Sequence, residues 1–208
     1  MPRPSFLLVV DVAVKAALVA LLLFALAAPD LPQFAGKAMW GRAIGYPIAV
    51  LVVPAVWYFA GRKRGWRYPY VIDILVGLPF LIDMAGNAAN LYGTVSWWDD
   101  ANHFVNWAIL TAGFGQLLVR LPLERAVVAG LAVGFGAVTA ILWEFMEYYT
   151  FIRYSSELQT AYTDTLGDLA LGLAGSALAA ALTVTVLWPR GRVENGGGAP
   201  KGPLRPAR

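Results

Sequence analysis

The chain has 208 residues, of which 59% are hydrophobic and 14% charged, and it contains no cysteine. Ordinary soluble domains are about 45–50% apolar and about 25% charged, so this composition, with a mean hydropathy of +0.60, excludes one and points to a polytopic membrane protein. The missing cysteines exclude disulfide frameworks, thiolate metal sites and cysteine nucleophiles.

A helix needs about 20 mainly apolar residues to cross a bilayer core of about 30 Å. Six segments qualify, in chain order residues 6–28, 43–60, 70–92, 99–119, 125–149 and 164–187. In the first, Asp11 and Lys15 are spaced to pair one helical turn apart. Its second half also reads as a signal peptide, with Ala25-Leu26-Ala27 as the cleavage site. Ahead of the second segment, Trp40 to Arg42 suits a short interfacial helix. The third is the most polar, and Gly77, Pro79 and Gly86 would allow it to be a broken helix. In the fifth, Gly130 and Gly134 form a GxxxG step that favours close helix packing, as do Gly113, Gly115, Gly172 and Gly175 elsewhere. Residues 1–188 thus form an all-α transmembrane helical bundle, and the basic, Gly- and Pro-rich residues 189–208 form a disordered tail.

Basic residues set the direction. Arg3, Arg62, Lys63, Arg64, Arg67, Arg120, Arg125 and the five in the tail place 12 of the 16 on one side. Lys37, Arg42 and Arg153 fall on the other. The positive-inside rule then puts both termini in the cytoplasm. The net charge of +3 is therefore a topology signal, and no nucleic-acid role is expected.

Acids inside a membrane are expensive and mark function. Asp83 lies about 20 Å along the third segment, with Asn87 and Asn90 beyond it at helical spacing. Asp99, Asp100 and His103 open the fourth segment, Glu144 and Glu147 close the fifth, and Asp164 and Asp168 open the sixth. All fall in the outer third of the bilayer. Asp99 and His103 share a helical face, as do Glu144 with Glu147 and Asp164 with Asp168. Arg153 is the basic residue nearest this layer in sequence.

A metal cation would hold so many carboxylates together. Oxygen-rich ligands with one imidazole suit Mg²⁺, Mn²⁺ or Ca²⁺ better than Zn²⁺ or iron. The metal-ligand set is Asp83, Asp99, His103, Glu144, Glu147, Asp164 and Asp168, with Glu144 and Asp99 as catalytic carboxylates and Asn87, Asn90 and Arg153 toward a substrate. Capping at the helix starts accounts equally for Asp99, Asp100 and Asp164, and His103 suits a hydrogen-bonded core residue as well as a ligand. The surrounding Trp97, Trp98, Trp107, Trp143, Tyr148, Tyr149, Tyr154 and Tyr162 read mostly as an interfacial aromatic belt, one or two of them lining a pocket for a lipid or isoprenoid chain.

The motifs WDDANHF from Trp98, WEFMEYY from Trp143 and TDTLGDLALGLAG from Thr163 resemble the YjdF-like bacterial inner-membrane proteins. More loosely, the chain is similar to VanZ-like proteins, although Gly172 stands where their closing pattern has Asn. The resemblance implies a fold, a shared polar site and a bacterial plasma-membrane location. It names no reaction.

Three functions remain open. One is a metal-dependent hydrolase or transferase acting on a lipid or lipid-linked substrate. A second is a cation or proton-coupled transporter. In the third, the polar layer staples the bundle of a structural or partner protein.

Overall fold

The computed structural model describes residues 5–188, and the expected tail lies outside the described residues. The fold is all-helical. Five stretches are long and apolar enough to cross a membrane: Phe6–Ala27, Met39–Arg64, Tyr70–Ala88, Arg125–Tyr154 and Ala161–Thr185. A further helix, Trp98–Leu118, is long enough at 21 residues. Asp99, Asp100, Asn102, His103 and Asn106 make it more polar than the others.

Helix α1 (Phe6–Ala27) is capped by Ser5, whose hydroxyl accepts from the Leu8 N–H. The second stretch begins at α2 (Met39–Val50), which absorbs the Trp40–Arg42 region, and continues through α3 (Val52–Val56). A π turn follows at Trp57–Gly61. Pro47 and Pro54 lie in this stretch, and the N–H that each lacks is the physical cause of its irregular winding. Helix α4 (Tyr70–Ala88) runs unbroken through Pro79. It stops short of the expected residue 92 because Asn90 adopts φ 56°, a left-handed turn into α5 (Leu91–Thr94). Asn90 therefore does not continue the helical spacing of Asp83 and Asn87. After α6 (Trp98–Leu118) come α7 (Arg125–Thr150) and α8 (Ala161–Thr185).

Helix α6 is the centre of the bundle, flanked by α4, α7 and α8, and α1 packs on the outer side of α4. The α6–α8 seam is close because its residues are small. Gly175 faces the Phe104 carbonyl, Gly172 faces the Trp107 ring, and Gly115 faces Thr183. Thr111 donates to the Ser176 hydroxyl across the seam at 3.0 Å, beside Gly136 of α7. Gly130 and Gly134 do not join it. Nothing lies within 4 Å of where their Cβ atoms would be. The GxxxG step faces outward because the third, more distant glycine Gly136 meets α6 and α8. Large apolar side chains such as Leu23, Ile48, Val138 and Phe145 stay exposed, as a lipid-facing surface requires.

At the end of the bundle carrying the Arg62–Arg64 turn, Asp11 pairs with Lys15 as its spacing predicts. Lys15 also reaches the fully buried Asp73 of α4 at 2.6 Å, and Tyr68 donates to the same carboxylate. This pairing ties α1 into the bundle.

Two glycine substitutions read the seam directly. Gly175→Ala places a methyl group against the α6 backbone, which cannot step aside, and is expected to cost about 1–3 kcal/mol. Gly130→Ala meets open space and is expected to be neutral or to gain up to about 1 kcal/mol of helix propensity. Thermal unfolding in detergent micelles compares the two.

Candidate functional site

Opposite the Arg62–Arg64 turn, three long helices bring their polar residues together. Asp99 and His103 lie on the first two turns of α6, Glu144 and Glu147 on the last turns of α7, and Asp168 on the second turn of α8. Neither α6 nor α8 has a side-chain cap hydrogen bond, and their cap residues are Trp97 and Thr160. Asp99, Asp100 and Asp164 are first-turn acids that favour the helix dipole without capping.

His103 is the hub. Its Nε2 lies 3.7 Å from Asp99 Oδ1 and 3.6 Å from Asp168 Oδ1, and its Nδ1 lies 3.7 Å from Glu144 Oε1. His103, Glu144 and Asp168 are buried, and Nδ1 makes no hydrogen bond within the described residues. Glu144 accepts from Thr165 on α8 at 3.1 Å. Two ligand groupings have their donor atoms within 4.8 Å of one another: Asp99, His103 and Asp168, and His103, Glu144 and Glu147. Asp164 and Asp100 are exposed and join neither.

Asp83 belongs to a different set. Its Oδ2 accepts from Tyr46 at 2.5 Å and from Arg42 at 3.1 Å, and its Oδ1 accepts from Tyr92 at 2.7 Å and Asn87 at 3.3 Å. Four donors fill the four lone-pair positions of a carboxylate, which leaves none for a metal. The counter-charge of the layer is thus Arg42, not Arg153, which is exposed and sits over the rings of Tyr149 and Tyr154. The sequence reading placed Arg42 in a short interfacial helix on the outer side, ahead of the second span. It is drawn in because α2 begins at Met39 and carries Arg42 and Tyr46, one turn apart, toward α4.

A cavity of about 530 Å³ opens beside these groups. Asp83, Tyr92, Asp99, Asn102, His103, Asn106 and Glu147 line its polar end, and Trp107 and Trp143 form part of its wall. Glu144, Asp168, Asn87, Asn90 and Arg153 do not line it. Sequence reading missed Arg42, Tyr46 and Tyr92, which hold Asp83, and Asn102 and Asn106, which line the cavity. For the two asparagines a local signal exists, since they repeat the four-residue spacing of Asp99 and His103 three positions later.

Arg42→Met is expected to leave Asp83 buried without its cation and to cost about 3–5 kcal/mol. Adding Asp83→Leu should restore much of the lost melting temperature, because the orphaned charge goes with it. A double-mutant cycle in micelles measures this coupling.

No curated protein and no solved structure matches the chain. A family described as "Predicted membrane protein (DUF2238)" matches residues 11–188, a span that contains every helix and cluster described above except the first turn of α1. This is the family that the YjdF-like motifs indicate, whereas the VanZ-like likeness finds no support in the match. The chain belongs to the DUF2238 family of predicted membrane proteins.

Proposed function

We propose that the protein is a metal-dependent hydrolase or transferase acting on a lipid or lipid-linked substrate in the outer third of a bacterial plasma membrane, with both termini cytoplasmic. The observation that carries this reading is the His103 imidazole, buried between Asp99 and Asp168 on one nitrogen and Glu144 on the other.

A neutral imidazole offers one lone pair and one N–H, and a metal-bound histidine commonly gives its N–H to a carboxylate. By that rule Asp99, Asp168 and His103 Nε2 would hold a divalent cation, and Glu144, 3.7 Å from Nδ1, is the carboxylate that would close on the ring N–H. Mg²⁺, Mn²⁺ or Ca²⁺ suits two carboxylates and one nitrogen. Such a cation lowers the pKa of bound water and polarises an electrophile. The general-base role passes from Glu144 to Glu147, because Glu147 is the member of the pair that lines the cavity. Glu147 takes a proton from water as its oxygen attacks the substrate's phosphorus or carbonyl carbon. The bond to the leaving oxygen breaks, and Glu147 returns the proton to it.

A second reading has its own observation. Buried Asp73, paired with Lys15 of α1, lies on the same helix as Asp83 but about 15 Å away by helical rise. Acids at two depths of one helix favour proton-coupled transport.

Elemental analysis of the detergent-purified chain, reloaded with Mn²⁺ or Mg²⁺, separates the two. The enzyme reading expects about one metal per chain in the wild type and a loss of most of it in Asp99→Ala/Asp168→Ala. It also expects Glu147→Gln to keep the metal and lose function in a deletion strain. Wild-type protein without metal after reloading overturns the enzyme reading and leaves transport in front.

A further inference from the structure

We propose that the substrate is an amphiphile that enters sideways from the membrane, lays its hydrocarbon chain in the cavity and donates a hydrogen bond from an N–H or O–H at its head–chain junction to Asn106. The proposal rests on the lipid reading of the site and narrows it to a substrate class.

The cavity has two unlike ends. Beyond its polar end the walls turn apolar, with Val76, Pro79, Leu110 and Phe135 among the lining residues. Its lining runs along α7 from Phe135 to Glu147, about 18 Å by helical rise. Val52, Leu142 and Met146 line the same cavity and are 52%, 58% and 41% exposed. They lie within two stretches long and apolar enough to span a membrane. An opening between α3 and α7 at this depth faces acyl chains rather than water.

The donor requirement comes from a hydrogen-bond chain whose direction is fixed at one end. Arg42 holds Asp83 as an acceptor, and Tyr92 donates to it. The Tyr92 oxygen then accepts from Asn102 at 2.8 Å, and the Asn102 oxygen accepts from Asn106 at 3.2 Å. The amide orientation of Asn106 follows from this order, because its NH₂ is committed to Asn102. What remains is Asn106 Oδ1, shielded from solvent and without a partner among the described residues. A buried acceptor left this way demands a donor. Asn106 lies three residues beyond His103, about 5 Å further from the helix start by helical rise. A ligand with its reacting group at His103 therefore meets Asn106 at the junction with its chain. An ester there offers only acceptors. An amide N–H or a hydroxyl offers what Oδ1 lacks.

The test uses three single-chain probes with the same diazirine-bearing tail, joined through an amide, a secondary alcohol or an ester. The full chain in detergent is photolabelled, and labelled peptides are mapped. The proposal expects labelling of residues 135–146 with a half-saturating concentration about 10-fold lower for a donor-bearing probe than for the ester. Whether the amide or the alcohol leads identifies the source of the donor. Asn106→Leu should erase the preference, and Asn106→Asp, which keeps an acceptor there, should retain it. Thr139→Trp, which fills the chain-binding part, should abolish labelling by all three. Equal labelling by amide, alcohol and ester overturns the Asn106 assignment while leaving the lipid reading in place. No labelling of residues 135–146 by any probe overturns the lipid reading as well.

Discussion

Buried charge must be balanced, and this bundle is organised around how it does so. A carboxylate far from water tolerates ionisation only beside a cation or several donors. Lys15 serves Asp11 and Asp73 at one end of the bundle, and Arg42 serves Asp83 near the other. Around His103 the pattern stops. Asp99, Glu144 and Asp168 gather around the imidazole, Glu144 also accepts from Thr165, and no Lys or Arg of the described residues is paired with them. Two clusters are closed by the chain's own cations, and the third has no Lys or Arg partner among the described residues, which is what the proposed cation would supply.

The packing that builds the bundle also sets the spacing of that third cluster. Gly172 and Gly175 let α8 approach α6 until a glycine meets the Phe104 carbonyl. Asp168 is one turn before Gly172 on α8, and His103 is the neighbour of Phe104 on α6. The closeness of the two backbones therefore brings an aspartate of one helix within 3.6 Å of a histidine of the other. Helix α7 adds Glu144 from the second side, and Thr165 of α8 steadies that carboxylate. Because the cluster is made by packed helices rather than loops, its side chains are held by the bundle itself.

Much of this was legible in the sequence for simple reasons. Hydrophobic length located the helices, and the cost of acids in lipid singled out Asp83, Asp99, Glu144, Glu147, Asp164 and Asp168 with His103, of which Asp83 and Asp164 lie outside the His103 groupings. Four-residue spacing correctly paired Asp11 with Lys15. What stayed hidden depended on contacts between segments distant in the chain. Arg42 read as part of a short interfacial helix because nothing local says that α2 runs on from Met39 and turns Arg42 toward Asp83. Asn87 and Asn90 looked alike, but one is committed to Asp83 and the other ends the helix at φ 56°. Asn102 and Asn106 carry no charge and so escaped a search guided by acids. The GxxxG step at Gly130 predicted a contact that its own helix presents to the outside.

The central claim is that a cation, held through His103, neutralises the acids that Lys15 and Arg42 do not reach. Pulsed electron paramagnetic resonance of Mn²⁺-loaded protein carrying ¹⁵N-histidine tests it most directly, since His103 is the sole histidine of the chain. The account predicts coupling of bound Mn²⁺ to one imidazole nitrogen, with bound Mn²⁺ and coupling both lost in Asp99→Ala/Asp168→Ala. Mn²⁺ bound without nitrogen coupling, or coupling that persists unchanged in that double variant, would contradict it.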